Sequence, residues 1–217
     1  LLPVITLLLG YKQIQSCFAW HPFKEFNIEK SDSTIRIITW NIKGMFGLSG
    51  SNYKQTRLLE QIPATIKELN PDIICLQEFN IAINPKDPHS KTLNSFADWM
   101  PYHYFASDFY NGGTGYYMGS IIFSKYKILD SGKVKFRSPL SESLIYADVQ
   151  VGDSALRIYT THMQSFQFKP SDFAAIQKLK NQDDGALEAS EITFEKMVNA
   201  FGYRGGQADT IRNELDK

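Results

Sequence analysis

Cysteine is scarce in this chain: Cys17 and Cys75 are the only two among 217 residues. A disulfide framework needs more, so covalent stapling is excluded as the basis of the fold, and cysteine usage fixes no redox compartment. An excess of either charge is also missing, because Lys plus Arg and Asp plus Glu number 23 each. Without a global basic field, the chain lacks the electrostatic footprint of a tight, non-specific binder of nucleic acid or anionic lipid. A local phosphate site stays open. No apolar run reaches the roughly 20 residues that a spanning helix needs. There is no internal repeat and no low-complexity tract.

What is present is ordinary for a globular protein: 43% apolar and 21% charged residues, in a length sufficient for one domain with a real core. Leu1 to Tyr11 carries no charge and is almost wholly apolar. We read residues 1–11 as the end of a membrane-spanning or signal segment, with Tyr11 and Trp20 suited to an interfacial belt. A short buried helix is the alternative. A lipoprotein signal ending at Cys17 fits less well, since Lys12 and Gln15 interrupt the apolar run. Residues 12–33, with Pro22 and the charged stretch Glu29 to Asp32, read as a linker, and residues 34–217 as one domain. The protein is expected at a membrane through its N-terminal helix, as a monomer.

Within the domain, Ile35 to Trp40 and Ile73 to Gln77 are short apolar runs of the kind that fill a sheet core. Cys75 reads there as a small buried hydrophobe. Between the two runs, Leu58, Leu59, Ile62, Ile66 and Leu69 recur at helical spacing, with Pro63 demanding a kink or restart. Leu93, Phe96, Ala97 and Met100 predict a short helix, and Asn111 to Gly115 a glycine-rich turn before a strand at Ser120 to Ser124. Ile145, Ala147, Val149 and Val151 alternate with polar residues, and Gly152-Asp153 turns the chain into a hairpin with Leu156 to Thr161. Beyond Pro170 the pattern is helical: Phe194, Val198 and Phe201 share one face, and a break is expected at Gly205-Gly206. This order predicts an α+β fold with helices packed outside a layered sheet core.

Three polar residues stand directly after predicted strands: Asn41, Glu78 and His162. Strand ends in one core converge on one rim. A glutamate offers a hard anionic oxygen for magnesium, a histidine can donate to a phosphoryl oxygen or move a proton near neutral pH, and an asparagine can hold a substrate oxygen without adding charge. Each residue also has a bland role, as a turn former, a solvated carboxylate or a structural imidazole.

The strings around them, Ile37-Ile38-Thr39-Trp40-Asn41-Ile42, Pro71-Asp72-Ile73-Ile74-Cys75-Leu76-Gln77-Glu78, Gly119-Ser120-Ile121-Ile122-Phe123-Ser124 and Tyr159-Thr160-Thr161-His162-Met163-Gln164-Ser165, resemble the endonuclease/exonuclease/phosphatase superfamily, in its order. The late helix with Arg204, Gln207 and Ile211 is similar as well. The resemblance implies a DNase I-like two-sheet β-sandwich flanked by helices, in four layers, and a Mg2+-dependent hydrolase of phosphoesters, with Mn2+ as a substitute. It implies Glu78 as metal ligand, Asn41 beside the metal and the scissile phosphate, and His162 on the phosphate side of the cleft. Water would attack phosphorus in line.

Superfamily members continue into a strand ending Gly-Asp-x-Asn and finish with an Asp-His pair, whereas this sequence ends at Leu215-Asp216-Lys217. The resemblance therefore implies a domain lacking its C-terminal part and, in this length, inactive. The substrate stays open among nucleic acid, phospholipid and small phosphate esters. The string Thr161 to Ser165 leans toward sphingomyelinase-like and tyrosyl-DNA-phosphodiesterase-like members. A non-catalytic binding module with the same fold is the alternative. A glycosidase would need two acids flanking the bond, and only Glu78 follows a core strand. Lys125, Lys127, Lys133, Lys135 and Arg137 are expected on a short hairpin, as a solvated face or as a steering patch for a polyanion.

Overall fold

The computed structural model describes residues 30, 31, 33–45, 52–113, 115–137, 141–165, 170–181 and 186–217. The apolar segment expected at 1–11 and nearly all of the linker at 12–33 lie outside the described residues. The chain divides into two units, Leu1–Thr34 and Ile35–Lys217. In the first, Thr34 returns its N–H and its hydroxyl to the Ser31 carbonyl at 3.1 and 2.8 Å. All that follows concerns the second.

Strand β1 (Ile37–Asn41) crosses over through helix α1 (Asn52–Glu68) to β2 (Ile73–Ala82), so the two strands pair in parallel. Asp72 sets their register. Its buried carboxylate accepts the Arg36 N–H at 2.9 Å, and its own N–H donates to the Arg36 carbonyl at 2.8 Å, which aligns Ile37 with Ile73 and Asn41 with Gln77. A short 3-10 turn (Pro88–Lys91) and helix α2 (Asn94–Ala97) lead to β3 (Tyr102–Asn111) and β4 (Tyr116–Ser124). The first sheet has the order β1-β2-β4-β3. The meander β5 (Ile128–Lys135), β6 (Ser143–Val151) and β7 (Ser154–Thr161) forms a second, antiparallel sheet. Helices α3 (Pro170–Asn181) and α4 (Ala186–Leu215) follow.

The period-two alternation of β2 sends its residues to two different cores. Ile74, Leu76 and Phe79 pack against Leu59, Ile62 and Ile66 of α1 and against Phe96 and Met100. Phe79 is fully buried, with the rings of Phe96, Phe105 and Phe123 at 6.3, 6.1 and 5.8 Å. Ile73 and Cys75 point the other way, joining Ile122 of β4 to Ile145, Ala147, Val149 and Ile158 of the second sheet. Burial pushes the Cys75 thiol up to about 12, which makes it a core residue and not a nucleophile. On the far face of the second sheet, the Tyr159 hydroxyl reaches the Glu214 carbonyl of α4 at 3.3 Å. The layers are helices, sheet, sheet, helices: the two-sheet sandwich that the sequence predicts.

Several local expectations need correction. Helix α1 runs through Pro63 as one element with no restart, the proline ring buried with Leu59, Ile62 and Ile66. Helix α4 likewise runs unbroken through Gly205-Gly206. β1 fills less of the core than its apolar letters suggest: Ile37 and Trp40 are exposed, since β2 is its only described neighbour. The basic residues lie along β5, the first strand of the β5–β6 hairpin, and its flanks. Two of them are engaged, Lys133 with Asp108 at 2.7 Å and Lys125 with the Asn70 side-chain oxygen at 2.7 Å. No helix among the described residues is long and apolar enough to cross a membrane.

Candidate functional site

Glu78 does not follow its strand. It sits inside β2, in a bulge where Gln77 and Glu78 together face the single residue Ser120: pairing runs from Leu76↔Ile121 directly to Phe79↔Gly119. Its φ is 53°, the left-handed region that costs a non-glycine residue about 1–2 kcal/mol. The bulge lets Leu76 and Phe79 both remain in the helix-side core. It also presents two polar residues in succession toward the rim.

Asn41 ends β1 beside Gln77. Its Nδ2 donates to Glu78 Oε1 at 2.8 Å, and its Oδ1 accepts the Lys43 N–H at 3.0 Å. A left-handed turn at Lys43, Gly44 and Met45, with φ of 48°, 63° and 59°, brings that N–H back onto the asparagine. His162 follows β7 in the other sheet, and its Nε2 stands 3.4 Å from the same Glu78 oxygen. Residues 37 and 84 positions apart thus meet at one carboxylate, on the rim where the two sheets open. Both Glu78 and His162 keep about a quarter of their side-chain surface exposed, 26% and 29%, so a ligand in solvent can reach them.

A cleft of about 160 Å³ adjoins the pair, bordered by Glu78, His162, Asp108, Phe109, Ser120 and Glu142. Asp108 is neutralised by Lys133 and accepts the Ser143 hydroxyl at 2.6 Å. Ser120 Oγ and Glu142 Oε2 are buried without a hydrogen-bond partner among the described residues. A larger cavity of about 460 Å³, between Lys135–Arg137 and α4, touches none of the three rim residues. Sequence reasoning missed Asp108, Glu142 and Gln77. Gln77 alone left a signal, a polar residue in register with the inward-facing Ile73 and Cys75.

Among the described residues, no group of three or more His, Cys, Asp and Glu side chains could enclose a metal ion. The donor set suits an open site instead. Glu78 Oε2 has no hydrogen-bond partner among the described residues. An asparagine carbonyl has a second lone pair, and magnesium takes one or two carboxylates, keeping waters and substrate phosphate as its other ligands.

The two-sheet sandwich carries a carboxylate, an amide and an imidazole on one rim, and the chain belongs to the Endonuclease/Exonuclease/phosphatase family, whose model matches residues 38–188. Among solved structures it is similar to an endonuclease/exonuclease/phosphatase from Beutenbergia cavernae DSM 12333, with 18% identity and a TM-score of 0.51 over 67% of this chain and 42% of that one. TDP2 from Caenorhabditis elegans is 17% identical, with a TM-score of 0.46 over 84% of this chain and 53% of its own. A β-hairpin deletion mutant of beta toxin from Staphylococcus aureus is 15% identical, with a TM-score of 0.46 over 69% and 60%. No curated protein matches the chain. The chain spans about half the length of the first two of these structures.

Proposed function

We propose that this protein hydrolyses phosphoester bonds with a divalent cation, Mg2+ or Mn2+, by in-line attack of water. The observation that carries this reading is the convergence of Asn41 and His162 on one Glu78 oxygen, at 2.8 and 3.4 Å, in a fold of this family. Glu78 and Asn41 would hold the cation. When bound, it would supply charge that offsets the negative charge developing on the phosphoryl oxygens. Asn41 keeps Glu78 Oε1 oriented through its Nδ2, and its own rotamer is locked by the Lys43 N–H. His162 donates a hydrogen bond to a non-bridging oxygen, or a proton to the departing alkoxide, as the water oxygen bonds to phosphorus, gives up its proton to bulk water, and the P–O ester bond breaks. The adjoining cleft receives the rest of the ester. Nucleic acid, phospholipid and small phosphate esters remain its candidate substrates. The apolar residues 1–11 support a location at a membrane.

The test is hydrolysis of bis-p-nitrophenyl phosphate with Mg2+ or Mn2+ by the domain extended through the superfamily's C-terminal Gly-Asp-x-Asn and Asp-His motifs, comparing it with its Glu78→Gln variant. The variant should lose on the order of 10²–10³ in turnover. Its stability should change by less than about 1 kcal/mol, because the rim is partly solvated and an amide oxygen still accepts from Asn41. Equal turnover in both proteins would sink the metal role of Glu78. Substrate binding without any turnover would favour a non-catalytic module.

A further inference from the structure

Gln77 makes side-chain hydrogen bonds both to β1 beside it and to β7 in the other sheet, and they lead to both halves of the site. It is 7% exposed, and its amide nitrogen donates to Thr39 Oγ1 of β1 at 3.1 Å and to Thr160 Oγ1 of β7 at 2.7 Å. The Cys75 carbonyl lies 3.4 Å from the same nitrogen, so its two hydrogens are shared among three acceptors, of which Thr160 and Thr39 are the nearer. The Gln77 carbonyl accepts the N–H of Ile42, the residue after Asn41, at 3.2 Å. Thr39 lies two residues before Asn41 and Thr160 two residues before His162, the spacing that puts each pair on one side of its strand. Gln77 itself precedes Glu78.

Elsewhere the sheets meet through Cys75, Ile122, Ile145 and Ile158, apolar contacts that attract without direction and tolerate sliding, and through Lys133 and Ser143 on Asp108 of β3, at the edge of the first sheet opposite β1. A site that needs its groups within about 0.5 Å of a working geometry requires something directional. We propose that Gln77 is the positioning residue of this centre, a strut that sets the separation between the Asn41–Glu78 rim of one sheet and His162 of the other. Its reach to Thr160 fixes how far apart the sheets stand at their open edge. Its reach to Thr39, beside the main-chain bond from Ile42, holds β1 level with β2. Glu78 is thereby kept between its two partners. The proposal rests on the phosphoesterase reading for its purpose, but not for its geometry.

The experiment uses the whole chain carrying Gln77→Leu, Thr160→Val or Thr160→Ser, with two readouts. One is the ring 15N–1H correlation of His162, assigned through His162→Gln and compared with its position in Glu78→Gln. The other is Mn2+ affinity by electron paramagnetic resonance. Loss of an orienting partner of this kind typically weakens metal affinity tenfold to a hundredfold. Gln77→Leu and the nearly isosteric Thr160→Val should each show about that loss and should displace the His162 signal, while Thr160→Ser, which keeps the hydroxyl, stays close to the parent. A lower melting temperature alone, with signal and affinity unmoved, would overturn the strut and leave Gln77 as a packing residue. If Gln77→Leu fails to fold, the Thr160 pair decides by the same criteria. If the parent binds no Mn2+, the metal reading falls, and the His162 signal still judges the strut by itself.

Discussion

Adding one methyl group at different glycines of this chain should change its stability in opposite directions, and the structure says which way. A Cβ at Gly119 would stand 1.9 Å from the Ala106 carbonyl oxygen, 2.9 Å from its carbon and 3.0 Å from Ser107 Cα. These are backbone atoms of the neighbouring strand, at the irregularity where β3 and β4 change register between Ser107 and Phe109. Relief requires the strands to part by more than 1 Å, against a hydrogen-bonded spacing of about 4.8 Å. Overpacking a core usually costs about 1–3 kcal/mol. Gly119→Ala should cost about 3 kcal/mol or more, because no rotamer change can absorb the clash. Gly205 lies in α4, exposed, with nothing within 4 Å of the added atom. Alanine there gains the helix propensity that glycine lacks, about 1 kcal/mol. Gly132 falls between, since its Cβ would meet the Tyr146 ring at 2.5 Å, and a side chain can move aside. Urea unfolding followed by tryptophan fluorescence gives all three values from one assay. Gly119→Ala within 0.5 kcal/mol of the parent, by the scale of ordinary surface changes, would refute the close approach of β3 and β4 beside the cleft.

Asp87→Ala should destabilise the protein by about 1.5–3 kcal/mol, the worth of hydrogen bonds to a charged group, because that carboxylate accepts the His89 N–H at 2.9 Å and the Tyr116 hydroxyl at 2.8 Å. Burial raises the Asp87 pKa, but the His89 N–H, the Tyr116 hydroxyl and the His89 ring outweigh it and hold the carboxyl below the ordinary range. The contribution is therefore complete above the unfolded value of about 4 and is lost as pH falls through the folded value. Acid titration of the unfolding free energy should show that loss in the parent and a shallower one in Asp87→Ala. For residues 1–11 we propose a membrane contact: the protein should sediment with vesicles and remain in solution once those residues are removed, and equal partitioning of the two forms would remove the tether.

Much of this fold was legible because its central strands advertise themselves. Ile73 to Leu76 and Ile121 to Phe123 are apolar runs of strand length, and β6 alternates cleanly. β3 was not legible, since Tyr102 to Asn111 mixes aromatic and polar residues, of which Ala106 alone is fully buried. Asn41 and His162 could be read as polar residues closing apolar strands. Glu78 was recognisable by type but misplaced, because a left-handed residue inside a strand leaves no mark in a hydrophobic pattern. Gln77 left only the faint signal of its register with Ile73 and Cys75. A glutamine in a strand looks like a solvent-facing residue until its partners are known, and Thr160 is 83 positions away. Local letters do not report such pairings.

Placing one half of the site on each sheet also ties it to the order of folding. The meander β5-β6-β7 joins neighbours in sequence and can form early. The first sheet needs a crossover between β1 and β2 and a skip from β2 to β4, pairings that close long loops and form slowly. Neither sheet alone contains the Glu78–His162 contact, so the site appears only when the two dock. A ligand that binds only the docked form would then pull the equilibrium toward it, by about 2.7 kcal/mol at a concentration a hundred times its dissociation constant. Substrate would act as a latch on the last step of assembly.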